Sequence, residues 1–182
     1  RNMIKKGHIS GDRPIQDDQI QPSSIDLRIG TVAWRVQASF LTGKEKTIQT
    51  RLQEMAMHEL DISGGTILEK GCVYVVKLQE NLSIPNKINA VANAKSSIGR
   101  LDLLTRLITD FGTEFDRVPP GYSGPLYAEI SPKSFSVLIR SGIRLNQIRF
   151  RKGYRILSDK ELISLNKNQK LVSNDAIIDN GL

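Results

Sequence analysis

Apolar and polar residues alternate in short runs along most of this chain. Ser24-Ile25-Asp26-Leu27-Arg28-Ile29 alternates up to Gly30, and Thr31-Val32-Ala33-Trp34-Arg35-Val36 carries the pattern on, which predicts a strand with one buried face. Between residues 44 and 60 the apolar positions Ile48, Leu52, Met55 and Leu60 recur at helical spacing without Gly or Pro, predicting a short amphipathic helix or an ordered excursion. Residues 66–71, after Gly64-Gly65, predict a strand that ends in a turn, and residues 72–78 a buried strand. Residues 134–140 and 143–150 flank Ser141-Gly142, a two-residue hairpin signal. In the second of these runs the period-two phase slips at Asn146-Gln147, where a β-bulge is expected. Only near the end does a helical signal return: Ser158 and Glu161 form a capping box ahead of Leu162, Ile163 and Leu165. The last dozen residues are polar and unpatterned. Short strands with frequent turns predict a mostly-β barrel or jelly roll with a few short helices, residues 1–157 forming the β domain and residues 158–182 a short helix and tail.

Composition narrows the chemistry. At 182 residues, 39% hydrophobic and 25% charged, the chain is long enough for one domain with its own core, and charges or Gly/Pro break every apolar run before it could span a membrane. The chain starts Arg1-Asn2-Met3-Ile4 with no apolar signal segment, so a trimmed or fragmentary chain that is not secreted is expected. Cys72 is the single cysteine and cannot form an internal disulfide, which fits a reducing, cytoplasmic setting and a core role in an apolar run. With only His8 and His58 beside it, no zinc-ligand spacing exists. Any catalysis therefore rests on carboxylates, hydroxyls and basic groups.

The net charge of +7 is concentrated. Residues 133–157 hold Lys133, Arg140, Arg144, Arg149, Arg151, Lys152 and Arg155 with no acidic residue, so the rest of the chain is neutral. This segment is either an attractor for a polyanion or a set of solvated strand positions.

Three stretches carry polar residues that simple surface alternation does not explain. The first is Gln21-Pro22-Ser23-Ser24-Ile25-Asp26-Leu27-Arg28-Ile29-Gly30. The second, Asn93-Ala94-Lys95-Ser96-Ser97-Ile98-Gly99-Arg100, puts two cations, two hydroxyls and a glycine close together. It can hold phosphates on hydroxyls and backbone N–H groups, or it can simply start a helix running through Leu101, Leu103, Leu104 and Leu107. The third, from Pro119-Pro120-Gly121-Tyr122-Ser123-Gly124, leads into Pro125-Leu126-Tyr127-Ala128-Glu129-Ile130. A carboxylate in so apolar a strand is a partnered or desolvated acid/base, or else an edge-strand glutamate facing water.

In this order and spacing, the three stretches resemble the deoxycytidine triphosphate deaminases of the trimeric dUTPase-like superfamily, most of all the N-terminal half of the long, duplicated bacterial form. No single motif is diagnostic; the conjunction carries the resemblance. It implies a dUTPase-like distorted β-barrel and deamination of dCTP to dUTP and ammonia without a metal at the reacting carbon, feeding dUMP and dTTP synthesis. Most nucleobase deaminases instead activate water on zinc. By the same resemblance Glu129 is the general acid/base, and Ser96 and Arg100 orient the water and set the electrostatics around it. Lys95, Ser97 and Gly99 cradle the triphosphate, Tyr127 and Ala128 line the base pocket, and Gln147 contacts phosphate. Mg²⁺ is implied only as the triphosphate counter-ion, dTTP as an inhibitor, and a homotrimer or pseudo-trimer as the assembly, with no nucleic-acid or membrane partner.

The chain also departs from the short-form pattern. It is longer between Ser97 and Pro120, and Pro119 stands where short forms carry the acidic residue that meets the sugar, so Asp116 is the nearest replacement. Lys95 replaces an arginine and loses its bidentate fork. The alternatives carried forward are a dUTP diphosphatase, a bifunctional deaminase/diphosphatase, and a non-catalytic nucleotide-binding half-domain. Nucleic-acid binding through residues 133–157 is the weakest reading, because aromatics for stacking are few.

Overall fold

The computed structural model describes residues 1–153 and 157–169, and the chain divides into two units, Arg1–Lys152 and Gly153–Leu182. The first unit opens with α1 (Asn2–Lys5), β1 (Ile9–Gly11) and a 3-10 turn at Asp17–Gln19. It continues through β2 (Ile25–Val36), α2 (Ile48–Met55), β3 (Ala56–Asp61), β4 (Thr66–Leu68), β5 (Val73–Ser83) and β6 (Ile88–Ala94). A single helical turn, α3 (Ser96–Gly99), leads to β7 (Leu103–Thr109), β8 (Arg117–Val118), β9 (Ser123–Pro132), β10 (Val137–Ile139) and β11 (Arg144–Lys152). In the second unit α4 (Asp159–Gln169) starts at the expected capping box, with the Ser158 N–H and Oγ each 2.9 Å from Glu161 Oε2.

Among the described residues, nine strands form one antiparallel sheet in the order β7-β9-β5-β2-β11-β6-β8, with β1 added beside β5 and β3 beside β2. The sheet curls until β6 and β8 approach β7, giving the distorted barrel that the alternation predicts. Inward-facing residues fill it: Leu27 and Ile29 of β2, Val76 and Leu78 of β5, Leu126, Ala128 and Ile130 of β9, and Ile148 of β11. A second, smaller apolar cluster lies on the other side of the β5–β9–β7 surface, where Val75, Ile108 and Tyr127 meet Phe40 and the helical residues Ile48 and Leu52. The excursion over residues 37–55 thus covers the outside of the barrel wall.

Asp116 stitches the barrel closed. Its N–H donates to Leu107 O at 2.9 Å, its carbonyl accepts from Ala92 N–H at 2.8 Å, and its Oδ1 accepts from Leu107 N–H at 2.7 Å, joining β6 to β7. It holds φ +59°, a left-handed conformation that Asp and Asn tolerate better than most residues. Burial raises its carboxyl above the ordinary 3.8, outweighing the Leu107 N–H and the nearby Arg106. The folded state therefore holds this proton more tightly than the unfolded chain does. The Asp116 contribution favours the fold most when the group is protonated and is lost as pH rises from 3.8 through the raised value. Asp116→Asn keeps the acceptor and the backbone preference without the buried charge. Its melting temperature is expected to gain on the parent's as pH rises from 3.8 through the raised value, and a gap that stays constant over that rise would contradict this account.

Gly30 is required by close approach: a Cβ there would lie 2.7 Å from Lys77 O, where the β2–β5 register shifts between Ile29 and Ala33. Three expectations change. The Ser141-Gly142 turn forms, with Gly142 at φ +87°, but its flanks do not make a hairpin; β10 pairs with β4, while β11 pairs with β2 and β6. Each flank finds its partner across the fold, and tertiary pairing overrides the local signal. The ladder irregularity falls between Arg144 and Asn146, slightly earlier than the phase slip implied, and leaves Leu145 O to accept from Lys95 N–H at 2.9 Å. The helix expected through residues 101–107 stops after one turn, because Asp102 takes φ +53° and the chain then alternates as β7. Cys72 is half-buried at the edge of the core, its Sγ 3.8 Å from Glu69 Oε2.

Candidate functional site

The candidate residues fall into two clusters. The first lies on the outer face of β9, which is an internal strand between β5 and β7 and not an edge. Strand alternation puts Tyr127, Glu129 and Ser131 on this face and Leu126, Ala128 and Ile130 in the barrel core. Ala128 consequently has its side chain in the barrel, and only its backbone is available to the face that carries Tyr127 and Glu129.

Glu129 is 2% exposed and sits directly across from Val75 on one side and Arg106 on the other. Its Oε1 accepts from Arg106 Nη2 at 2.5 Å and from Arg106 Nε at 3.2 Å. Its Oε2 is buried with no partner, and so is Ser131 Oγ two residues on. Arg106 is itself held: Nη2 donates to Ser39 Oγ at 2.9 Å, and the guanidinium stacks 3.7 Å over the Phe115 ring. Tyr127 is buried in the same apolar cluster, and desolvation raises its hydroxyl above 10.0 and keeps it neutral. A carboxylate with one oxygen fixed and the other buried and unpaired, in an apolar surrounding, keeps an acceptor that the chain itself does not satisfy, the property asked of an acid/base group.

The second cluster gathers the other motifs. Asp26 of β2 and Asn93 of β6 flank Gln147 of β11 on neighbouring strands. Ser24 Oγ donates to Gln147 Oε1 at 2.9 Å, and Lys95 Nζ pairs with the buried Asp26 carboxylate. Lys95 thus reaches α3 already neutralised by a partner within the same motif set. Ser96, Ser97, Gly99 and Arg100 are exposed on α3, and the Arg100 guanidinium has no protein partner among the described residues. Arg149 and Arg151 follow Gln147 along the same face of β11, so the basic segment runs away from this cluster. Within that segment Arg144 pairs with Asp18 at 2.9 Å, while Arg155 lies outside the described residues. The first sequence motif divides its labour: Ser24 and Asp26 face this cluster, Arg28 joins a buried ion pair with Glu80, and Gly30 lets two strands close.

No hydrogen bond or ion pair joins Glu129 or Arg106 to residues 95–100 among the described residues. The exit of α3 meets β9 at Pro132, opposite Leu103, roughly 10 Å along the strand from Glu129. A cavity lined by Arg13, Pro14, Gln16, Arg28, Gln79 and Gly142 belongs to the Arg28–Glu80 region and to neither cluster.

Residues 1–154 match the family model of the 2'-deoxycytidine 5'-triphosphate deaminase N-terminal domain. The chain belongs to this family. The dCTP deaminase of Agrobacterium tumefaciens, known from a crystal structure, is 44% identical and superposes with a TM-score of 0.82 over 96% of this chain and 52% of that one. This chain therefore spans about half the length of that relative. A dUMP-forming dCTP deaminase of Coprothermobacter proteolyticus is 31% identical over 142 residues, 75% of this chain and 70% of the relative. Its counterpart in Thermobifida fusca is 30% identical over 152 residues, 81% of this chain and 72% of the relative. The EIAV dUTPase shares the fold at a TM-score of 0.50 and 10% identity, which agrees with the dUTPase-like barrel read from the sequence.

Family membership gives Arg106 no advance notice, since no motif contains it. The residue-level signal is the one that marked Glu129: a lone charge among Leu104, Leu107 and Ile108 in a strand. Two such lone charges of opposite sign in separate apolar strands are candidates for a cross-strand pair.

Proposed function

We propose that this chain supplies the residues for hydrolytic deamination of dCTP to dUTP and ammonia, with Glu129 carrying the protons. The observation that carries the reading is the Glu129 carboxylate, 2% exposed, with Oε1 fixed and Oε2 unpartnered, within a chain of the dCTP deaminase family. Glu129 Oε2 takes a proton from a water as its oxygen bonds to C4 of cytosine, and passes that proton to N3. The second proton of the water then travels through the same oxygen to the amine as the C4–N bond breaks. Ammonia leaves, N3 keeps its proton, and C4 becomes the carbonyl of uracil, so one water is consumed per dCTP. Tyr127 and the Ala128 backbone bound the base. Ser96 and Arg100 orient the water and set the electrostatics around Glu129, while Ser97, Gly99 and Lys95, the last held to Asp26, take the triphosphate with Gln147 beside them.

Among the described residues no hydrogen bond or ion pair joins the two clusters, and a second copy of the fold would complete the site, its α3 region meeting the Glu129 face of the first. Among the described residues no group of three His, Cys, Asp or Glu side chains suits a resident metal ion. Magnesium would arrive on the phosphates of the nucleotide as their counter-ion.

A second reading is favoured by the names of the curated relatives, several of which are dUMP-forming. The 44% identical Agrobacterium protein is named a 2'-deoxycytidine 5'-triphosphate deaminase. Parallel assays of ammonia and pyrophosphate release decide between them. The expected result is one ammonia per dCTP, no pyrophosphate from either dCTP or dUTP, and activity that rises with self-association in a sizing measurement. Pyrophosphate matching the ammonia would establish the bifunctional reaction, and nucleotide binding with no ammonia would reduce the chain to a binding domain.

A further inference from the structure

We infer that Arg106 is a positioning residue, whose guanidinium immobilises one oxygen of Glu129 and thereby dedicates the other to proton transfer at the substrate. The inference rests on Glu129 being the proton carrier. An arginine that serves only to neutralise a carboxylate normally does so through its fork, one nitrogen to each oxygen, because that geometry satisfies both acceptors. Arg106 instead places Nε and Nη2 on the same oxygen, at 3.2 and 2.5 Å, and leaves Oε2 buried and unpaired. An unsatisfied buried acceptor is costly, and the arrangement has the form of a site held ready for a donor that the protein does not provide.

The arginine cannot readily rotate to a more even fork. Ser39 Oγ accepts from Nη2 at 2.9 Å, the Phe115 ring lies 3.7 Å beneath the guanidinium, and β7 fixes its backbone opposite Glu129. Its remaining acidic neighbour, Asp116, spends Oδ1 on Leu107 N–H. Energetics point the same way. The face around the pair is apolar, with Val75, Ile108, Tyr127 and Phe115. In such a setting a well-packed apolar pair is often as stable as a buried ion pair, so stability alone gives little reason for these two charges. The side chain of Arg106 is still 28% exposed against 2% for Glu129, so the cation lies on the solvent side and the carboxylate behind it.

The test compares the parent with Arg106→Met, Arg106→Lys and Glu129→Gln in the assembled protein, measuring kcat and KM for ammonia release from dCTP, with and without added guanidinium chloride at non-denaturing concentration. Arg106→Met is expected to lower kcat by about 10- to 100-fold with KM for dCTP changed by less than about 3-fold, the pattern of a displaced catalytic group. Arg106→Lys, which keeps the charge and loses the two-nitrogen grip, is expected to fall between, and free guanidinium should restore part of the Met variant's rate. Should the Met variant fail to fold, the Lys variant carries the same comparison. An unchanged kcat in Arg106→Met or, where that variant does not fold, in Arg106→Lys overturns the inference, as does a rise in KM alone or a loss that neither lysine nor guanidinium repairs. Failure of the underlying reading looks different: Glu129→Gln would then keep its activity whatever Arg106 does.

Discussion

Glu129→Gln is expected to leave the barrel folded and to lower ammonia release from dCTP by about 10²- to 10⁴-fold, the usual contribution of a positioned acid/base. Glutamine has the size of glutamate, and its amide oxygen can take the place of Oε1 in front of Arg106 Nη2 and Nε. The amide nitrogen then stands where Oε2 was, and it can neither accept the proton of water nor return one to the amine. The lost negative charge leaves Arg106 with a weaker partner, but its side chain is 28% exposed and keeps Ser39 and Phe115, so the fold tolerates the change. Nucleotide affinity should survive, because the residues assigned to the triphosphate lie in the other cluster around α3. Steady-state ammonia assays, beside a binding titration with dCTP, check both halves of this expectation. Turnover within about 3-fold of the parent would remove Glu129 from the reaction. Tight binding with no turnover would separate chemistry from recognition along the line that divides the two clusters.

That division explains what the sequence could and could not disclose. Period-two alternation marks β2, continuous apolar runs mark β5 and β9, and a side-chain capping pair marks the start of α4, because these signals are local. Even so, alternation does not say which strands pair. The Ser141-Gly142 turn is real, yet its flanks go to different partners, since β4 and β2 offer each of them a ladder that a hairpin would have blocked. Leu101, Leu103, Leu104 and Leu107 are compatible with a helix, one of the two readings of their motif, but Asp102 turns the chain out of it. At the site, Glu129 was visible as a carboxylate out of place in its strand. Arg106 was not, because its meaning comes from standing opposite Glu129, and register is a property of the folded sheet. The same limit applies to Gly30, Asp26 and Arg28, which read as one motif and serve three purposes.

The largest loss of stability is expected from Glu80→Ala, about 3–5 kcal/mol by urea denaturation, a drop of roughly 10 °C in melting temperature for a domain of this size. Glu80 is fully buried and spends both carboxylate oxygens. Oε1 accepts from Arg28 Nε at 2.8 Å and from Gln19 Nε2 at 2.9 Å, and Oε2 accepts from the backbone N–H of Arg28 at 2.7 Å. That backbone N–H needs a side-chain acceptor because the sheet is irregular on both sides of it: the β2–β5 register breaks after Ile29, and the β2–β11 ladder slips at Leu145. Alanine would leave without its anion a guanidinium whose side chain is only 5% exposed, orphan the buried Arg28 N–H, and take one of the two acceptors of Gln19 Nε2, the other being Asp26 O at 2.9 Å. The two carbonyls that Arg28 also reaches, Pro14 O at 3.2 Å and Arg13 O at 3.0 Å, cannot compensate its charge. Removing the charge from both sides with Arg28→Met and Glu80→Leu together should recover much of the loss, but not all, since the Arg28 N–H still lacks its acceptor. By contrast, Glu69→Ala, which breaks the exposed Arg35–Glu69 pair, should cost no more than about 1 kcal/mol. A Glu80→Ala loss as small as that would mean the strand irregularity relaxes when its acceptor is removed. Asp26 lies two residues from Arg28 on the same face of β2, so the network that Glu80 anchors also sets the strand from which Asp26 holds Lys95.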